Sequence, residues 1–204
     1  MSFSAPPGWE AIKGFLADDE AAALHAAAGS VCALGPILEI GSYCGKSTLC
    51  LAMAISEPCV VFALDHHQGS EEHQPGEFFH DPDLFDAGAG VVDTFREFRR
   101  NLRAAGMDHK AVPVVAGSEL AARHWTTPLG MVFIDGGHSL DAALMDYRCW
   151  SGHVCKGGIL AIHDVFPDAH KGGQAPYAVY RLALESGLFR ELERVNSLAL
   201  LQRL

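Results

Sequence analysis

Five apolar runs of strand length recur along this chain, and glycine, an acidic residue or histidine stands within two residues of the end of each. The runs are Ile37 to Ile40, Val60 to Leu64, Val112 to Val115, Met131 to Ile134 and Ile159 to Ile162. Helix-length segments lie between them. Strands that alternate with helices predict a parallel sheet that is covered on both faces.

The clearest of these helices spans Val91 to Ala105, where apolar residues recur at three- and four-residue steps. Five further helices are expected at Asp18 to Ala28, Ser47 to Ile55, Glu119 to His124, Ser139 to about Cys155, and Ala175 to Ser186. The last two strands, Phe189 to Val195 and Leu198 to Arg203, read as a hairpin.

The chain has 204 residues, of which 49% are hydrophobic, and this predicts one folded domain. We expect residues 1–35 to form an N-terminal helical segment and residues 66–90, rich in Gly, Pro, His and acids, to form a lid. The net charge of −10 argues against nucleic acid or an anionic membrane surface as a partner. Without a signal-peptide pattern, a membrane-length apolar stretch or a C-x-x-C motif, a cytoplasmic location is expected.

The stretch from Ile37 to Thr48, ILEIGSYCGKST, reads as strand, glycine turn and helix start. Such a turn lets a ligand approach the backbone and meet the free N–H groups of the helix. Its glycine spacing fits neither a P-loop nor the G-x-G-x-x-G fingerprint of nicotinamide-binding domains. What remains, E-x-G-x-x-x-G, resembles motif I of the class I S-adenosylmethionine (SAM) methyltransferases. The cofactor candidates in this stretch are Glu39, Gly41, Ser42, Gly45 and Ser47.

Asp65 ends the second apolar run, at the position where doubly wound folds bind a ribose. We therefore assign Asp65, together with His66, to the cofactor. In the methyltransferase pattern the loop after the third strand flanks the adenine, which adds Gly117 and Ser118. The loop histidines His66, His67, His73 and His80 match no zinc spacing.

The fourth and fifth runs end in Asp135-Gly136-Gly137-His138 and His163-Asp164. Ligands of open α/β sheets bind outside the carboxyl ends of the strands, so these loops should meet the glycine turn at one edge. Two carboxylates and two imidazoles at adjacent strand ends can hold one divalent cation and leave positions for substrate oxygens.

Residues 36–165, and above all FIDGGHSLDAALMDYRCWSGHVCKGGILAIHDV, resemble the macrocin O-methyltransferase-like group of metal-dependent small-molecule enzymes. The resemblance implies a class I fold of seven strands in the order 3-2-1-4-5-7-6. It also implies Asp135 and Asp164 as metal ligands, with Asp135 near the cofactor as well, and His138 as the general base. The group commonly has an acid where this chain has His163, which is either a further ligand or a second base. Magnesium is expected and manganese is the alternative, since imidazole suits Mn²⁺ better.

The implied reaction transfers a methyl group from SAM to a hydroxyl of a small polar acceptor, most simply a sugar or another vicinal diol. A mycobacterial-type mannoside 1-O-methyltransferase is one candidate, and a homodimer is expected from the group's habits. Three alternatives stay open: a catechol- or phenol-type O-methyltransferase, a non-catalytic SAM-binding module, and a nicotinamide-dependent dehydrogenase. The glycine spacing and the terminal hairpin disfavour the last of these.

Overall fold

A computed structural model describes residues 3–204 of the chain, so the first two residues of the expected N-terminal segment lie outside the described residues. Its central sheet has seven strands: β1 (Ile37–Ile40), β2 (Val61–Asp65), β3 (Ala111–Val115), β4 (Leu129–Ile134), β5 (Val154–Ile162), β6 (Phe189–Val195) and β7 (Leu198–Arg203). Their order is β3-β2-β1-β4-β5-β7-β6, which confirms the predicted topology. Only the pairings of β7 are antiparallel in this sheet, as described for residues 3–204.

Within residues 3–204, six α-helices accompany this sheet: α1 (Asp18–Val31), α2 (Lys46–Ala54), α3 (Phe95–Ala104), α4 (Ser118–Ala122), α5 (Leu140–Trp150) and α6 (Ala175–Glu185). Successive residues of β1 point to opposite faces, as the pleat requires. Ile37 joins a core with residues of α1, α2 and α3, whereas Leu38 joins a second core with residues of α5 and α6. Both side chains are fully buried, which explains why β1 is apolar on both faces.

The strand register aligns the carboxyl ends of β1, β2, β4 and β5. Ile40 pairs with Leu64 on one side and with Ile134 on the other, and Ile134 pairs with Ile162. The residues that follow these positions therefore leave the sheet at the same level and along the same edge.

Two predicted helix boundaries were wrong by four residues or more. The helix expected from Val91 begins at Phe95, because residues 91–92 pair with residues 85–86 in a short antiparallel hairpin. The helix expected to reach Cys155 ends at Trp150, and β5 begins at Val154.

The glycine pair before Ile159, Gly157-Gly158, lies inside β5. A Cβ on Gly158 would lie 2.7 Å from the carbonyl oxygen of Gly130 on the neighbouring strand, so glycine is required by close strand packing there. Among the helices described for residues 3–204, none is both long and apolar enough to cross a membrane.

Candidate active site

A cavity of about 990 Å³ runs along the carboxyl edge of the sheet. Most of the site residues expected from the sequence line it: Gly41, Ser42, Ser47, Asp65, His66, Gly117, Ser118, Asp135, His138 and Asp164. Three others, Glu39, Gly45 and His163, lie behind this lining. The structure thus brings together residues that are far apart in the sequence.

The glycine turn after β1 has two conformational requirements. Gly41 has a φ of 90°, and a Cβ at this position would lie 2.0 Å from the carbonyl oxygen of Asp135. Gly45, with a φ of 88°, precedes α2, and a Cβ there would lie 3.1 Å from the ring of Phe98. Gly41 is therefore needed where the first and fourth strand-end loops meet, and Gly45 is needed for packing behind the cavity.

Asp65 connects the glycine turn after β1 with the loop after β2. Its Oδ2 accepts a hydrogen bond from the backbone N–H of Tyr43 at 2.8 Å, and its Oδ1 accepts one from that of His67 at 2.7 Å. Each carboxylate oxygen keeps a second lone pair. Asp65 can hold the glycine turn in place and still accept hydrogen bonds from a ribose in the cavity.

Glu39 is placed differently from our expectation. Its side chain is fully buried, does not line the cavity, and accepts a hydrogen bond from the Thr48 hydroxyl of α2. Its Oε1 has no hydrogen-bond partner among residues 3–204. Burial raises the pKa of Glu39 to about 8. The structure therefore presents Glu39 as a brace between β1 and α2, without direct access to a ligand.

Ser118, expected near the adenine, is tied to a buried carboxylate that the sequence analysis missed. The Ser118 hydroxyl donates a hydrogen bond to Asp146 Oδ1 and accepts one from Trp150 Nε1 at 3.1 Å. Asp146 is 8% exposed and lines the same cavity. Burial raises its pKa to about 6. Asp146 is one residue in an ordinary amphipathic helix, so no local pattern distinguished it.

Asp135, His138 and Asp164 form a cluster in which one possible ligand atom from each lies within 4.8 Å of the others. His138 Nε2 lies 3.0 Å from Asp164 Oδ2. Asp164 follows β5 with a φ of 56°, a left-handed conformation that Asp tolerates better than most residues. The two carboxylates are oxygen donors of the kind that suits Mg²⁺ or Mn²⁺, so Asp135 and Asp164 fit the expected cation.

His163 lies behind this cluster and is 3% exposed. Its Nδ1 lies 3.1 Å from Asp135 Oδ1 and 3.4 Å from Asp164 Oδ2, and its Nε2 lies 3.0 Å from Glu20 Oε2. Burial opposes protonation, but these carboxylates raise the pKa of His163 far above its ordinary value. Both ring nitrogens thus face carboxylates, which favours a supporting role for His163 over the ligand role we expected.

Glu20, in the first turn of α1, extends this network beyond the strand ends. It is 4% exposed, and its Oε1 accepts hydrogen bonds from the backbone N–H and the hydroxyl of Ser197 at 2.9 and 2.8 Å. Burial raises its pKa, but the bonds from His163 and Ser197 lower it to about 2. Nothing local in the sequence marks this role of Glu20, because its partner His163 is 143 positions away.

The segment at residues 66–90, expected to be a lid, contains two short 3₁₀ helices, Glu71–His73 and Pro82–Leu84. Lys13 binds Asp81 at 2.5 Å and Asp83 at 3.1 Å, and Phe15 contacts Phe79 with ring centroids 5.4 Å apart. The segment therefore contacts the chain before α1. Several of its residues line the cavity: Gly69, Ser70, Glu71, Glu72, His73 and Phe79.

The loop histidines do not gather into a metal site. The only candidate cluster of metal-binding side chains within residues 3–204 is the one formed by Asp135, His138 and Asp164. His67 Nδ1 contacts the Thr94 hydroxyl at 2.7 Å, and His73 Nδ1 contacts the Ser70 hydroxyl at 2.7 Å. These two histidines serve the local structure of the loops.

This geometry can be compared with known proteins. A family model described as a methyltransferase domain matches residues 38–165, from β1 to the residue after Asp164. The chain belongs to this methyltransferase family. The matched range contains the glycine turn, Asp65, and the cluster of Asp135, His138 and Asp164.

Solved structures share the fold of this methyltransferase domain. TomG from Streptomyces achromogenes, an O-methyltransferase involved in tomaymycin synthesis and solved with SAM, is 17% identical, with a TM-score of 0.61 over 93% of this chain and 81% of its own. The O-methyltransferase NovP is 15% identical, with a TM-score of 0.66 over 90% and 78%. Cofactor-bound Rv0187 from MTB is 17% identical, with a TM-score of 0.63 over 96% and 86%. At these identities the likeness is one of fold.

Proposed function

We propose that this methyltransferase transfers a methyl group from SAM to a hydroxyl of a small acceptor, with a divalent cation orienting the acceptor and His138 as the general base. The observation that carries the proposal is the single cavity, which has a glycine turn and a ribose-type carboxylate on one side and the cluster of Asp135, His138 and Asp164 on the other. TomG, a structural relative, is an O-methyltransferase in complex with SAM.

On the cofactor side, the turn from Gly41 to Ser47 leads into the N-terminus of α2, and Asp65 lies beside it. We assign the amino acid part of SAM to this turn and its ribose to Asp65. Gly117 and Ser118 lie at the next strand end and line the same cavity, so we assign the adenine to their side.

On the acceptor side, Asp135 and Asp164 are the proposed cation ligands, and His163 aligns them from behind. A bound Mg²⁺ or Mn²⁺ would supply Lewis-acid orientation of acceptor oxygens and lower the pKa of the hydroxyl to be methylated. Aligning the hydroxyl with the methyl group accounts for much of the rate enhancement, because holding both reactants in place lowers the entropic cost of bringing them together.

His138 is the proposed base because its imidazole lies at the mouth of this cluster, with its side chain 37% exposed. The hydrogen bond to Asp164 raises the pKa of His138 to about 9, and the charges of Glu72 and Asp135 add to this effect. At this pKa the ring holds its Nε2–H at neutral pH, so His138 acts as a base only after that proton is released to solvent. A cation bound to Asp164 would compete for this carboxylate and would favour the neutral imidazole.

The first candidate acceptor is a sugar or another vicinal diol, since two adjacent oxygens suit a cation held by few protein ligands. A second candidate, a catechol or phenol, is favoured by a specific observation. Phe15, Phe79 and Phe166 line the same cavity, and Phe15 and Phe79 contact each other edge to face. Such rings can hold a flat acceptor as well as an apolar sugar face.

Two measurements test the proposal. Calorimetry should show binding of SAM, and binding of NAD in its place would overturn the cofactor assignment. A panel of methyl mannosides, other vicinal diols and catechols with methyl-labelled SAM and Mg²⁺ should then give label transfer to one class, and His138→Ala should abolish most of it. Label transfer that is unaffected by His138→Ala would refute the role of the base.

A further inference from the structure

His138 lies between two carboxylates that come from opposite sides of the cavity. Its Nε2 contacts Asp164 Oδ2 at 3.0 Å, and its Nδ1 contacts Glu72 Oε1 at 2.8 Å. Asp164 follows a strand of the sheet, whereas Glu72 belongs to the segment at residues 66–90. The proposed base is therefore held by the sheet at one nitrogen and by this segment at the other.

The position of Glu72 is itself constrained. It is the central residue of the 3₁₀ helix Glu71–His73, which Ser70 caps at its start. The Ser70 hydroxyl lies 3.3 Å from Glu72 Oε1, and the carbonyl oxygen of Glu72 accepts a hydrogen bond from the backbone N–H of Phe79 at 3.2 Å. The carboxylate is 29% exposed, which is less than expected for a freely solvated loop acid.

The cofactor turn reaches the same short helix through an aromatic contact. His73 packs on Tyr43 of the glycine turn with ring centroids 5.3 Å apart. The backbone N–H of Tyr43 binds Asp65, the proposed ribose ligand. Glu72 is thus attached to the cofactor side of the cavity while its carboxylate points to the base on the acceptor side.

A carboxylate that accepts the Nδ1–H of an imidazole fixes the orientation of the ring and directs its Nε2 to the reacting group. We infer that Glu72 is a positioning residue for His138. The segment at residues 66–90 thereby fixes the orientation of the proposed base when it lies over the cavity. This inference rests on the proposed function, because it assigns a partner to the proposed base. The competing interpretation is an exposed ion pair with little effect, as is common at protein surfaces.

A spectroscopic test needs no acceptor. In ¹⁵N-histidine-labelled protein, the Nδ1–H of His138 should give a slowly exchanging, downfield proton resonance, which is assigned by its loss in His138→Gln. Glu72→Gln should remove or strongly shift this resonance, whereas Glu77→Gln should not. Glu77 is the matched control, because it is an exposed acid of the same segment and does not line the cavity. A resonance that is unchanged in Glu72→Gln would overturn the inference.

A kinetic test uses the acceptor that takes up label in the panel of mannosides, diols and catechols. Glu72→Gln should lower kcat by about 10- to 100-fold, with the acceptor KM and the SAM Kd changed less than threefold, and Glu72→Asp should recover part of the loss. In a His138→Gln background the same change should have no further effect on kcat, because Glu72 acts through His138. An undiminished kcat, or equal losses in both backgrounds, would contradict the inference.

The two variants distinguish a failure of the role of Glu72 from a failure of the proposed function. If His138→Gln retains full turnover, the base assignment fails whatever Glu72 does. If His138→Gln loses turnover and Glu72→Gln does not, the base stands and only the role of Glu72 is refuted.

Discussion

The two sides of the cavity are built in different ways. On the cofactor side, the glycine turn and Asp65 are held by contacts between backbone groups and residues at neighbouring strand ends. On the acceptor side, each imidazole is held by a carboxylate from a distant element: Glu20 of α1 for His163 and Glu72 for His138. The cofactor side is thus defined by the topology of the sheet, whereas the acceptor side depends on side chains that the rest of the chain supplies. Different side chains make the polar contacts on the two sides, so substitutions should separate SAM binding from cation binding and turnover.

The largest effect is expected from His138→Gln, because it removes the proposed base. Turnover should fall by about 10²- to 10⁴-fold, the range typical of a lost general base. The SAM Kd, measured by calorimetry, should stay within threefold of the wild-type value, because no cofactor-side contact is removed. A large rise in the SAM Kd would show that the two sides are not separable.

Asp65→Ala should have the opposite effect: it should weaken SAM binding and leave cation binding intact. Asp65 accepts a hydrogen bond from Tyr43 and is the proposed acceptor for the ribose, so its loss should raise the SAM Kd by about 10- to 100-fold. Manganese affinity, measured by electron paramagnetic resonance, should be unchanged. Asp164→Asn is the reciprocal control and should weaken manganese binding while SAM binding persists. If either variant lost affinity for SAM and for manganese to the same extent, the two sides of the cavity would not be independent.

Glu20→Gln tests whether the acceptor side depends on α1. Without the Glu20 carboxylate, His163 Nε2 loses its charged partner and keeps at most a neutral amide acceptor, so it should align Asp135 and Asp164 less well. We expect manganese affinity to fall by about tenfold. Asp19→Asn, an exposed neighbour in the same helical turn, should leave manganese affinity unchanged. If both variants bind manganese as the wild type does, Glu20 has no part in the site.

The smallest effect concerns Asp146 and pH. The pKa of Asp146 in the folded state is about 6, above the ordinary value of 3.8. Between pH 3.8 and 6, Asp146 is therefore protonated in the folded state and ionised in the unfolded state. The stability of the wild type should therefore fall as pH rises from about 4 to 6, by roughly 1–3 kcal/mol at most. Asp146→Asn, which is neutral throughout, should lack this fall in urea denaturation. Parallel pH profiles for the two proteins would show that Asp146 has an ordinary pKa.

The same contrast explains what could be predicted from the sequence. The strand order and most of the cavity lining followed from five apolar runs and the residues just after them, because parallel strands place their carboxyl ends at one edge. The contacts of Glu20, Glu72 and Asp146 did not follow, because they depend on side-chain packing between elements far apart in the chain. Glu39 was misplaced for a related reason, since its orientation toward α2 is set by Thr48 and not by its position beside the glycine turn.

The central claim is that one cavity holds SAM on the side of Asp65 and a cation on the side of Asp135 and Asp164. A crystal structure of the protein with S-adenosylhomocysteine and Mn²⁺, read from the anomalous signal of manganese, tests it most directly. We predict a manganese peak between the Asp135 and Asp164 carboxylates, with the ribose at Asp65 and His138 beside the open face of the ion. Manganese at any other position, or S-adenosylhomocysteine outside this cavity, would contradict the claim.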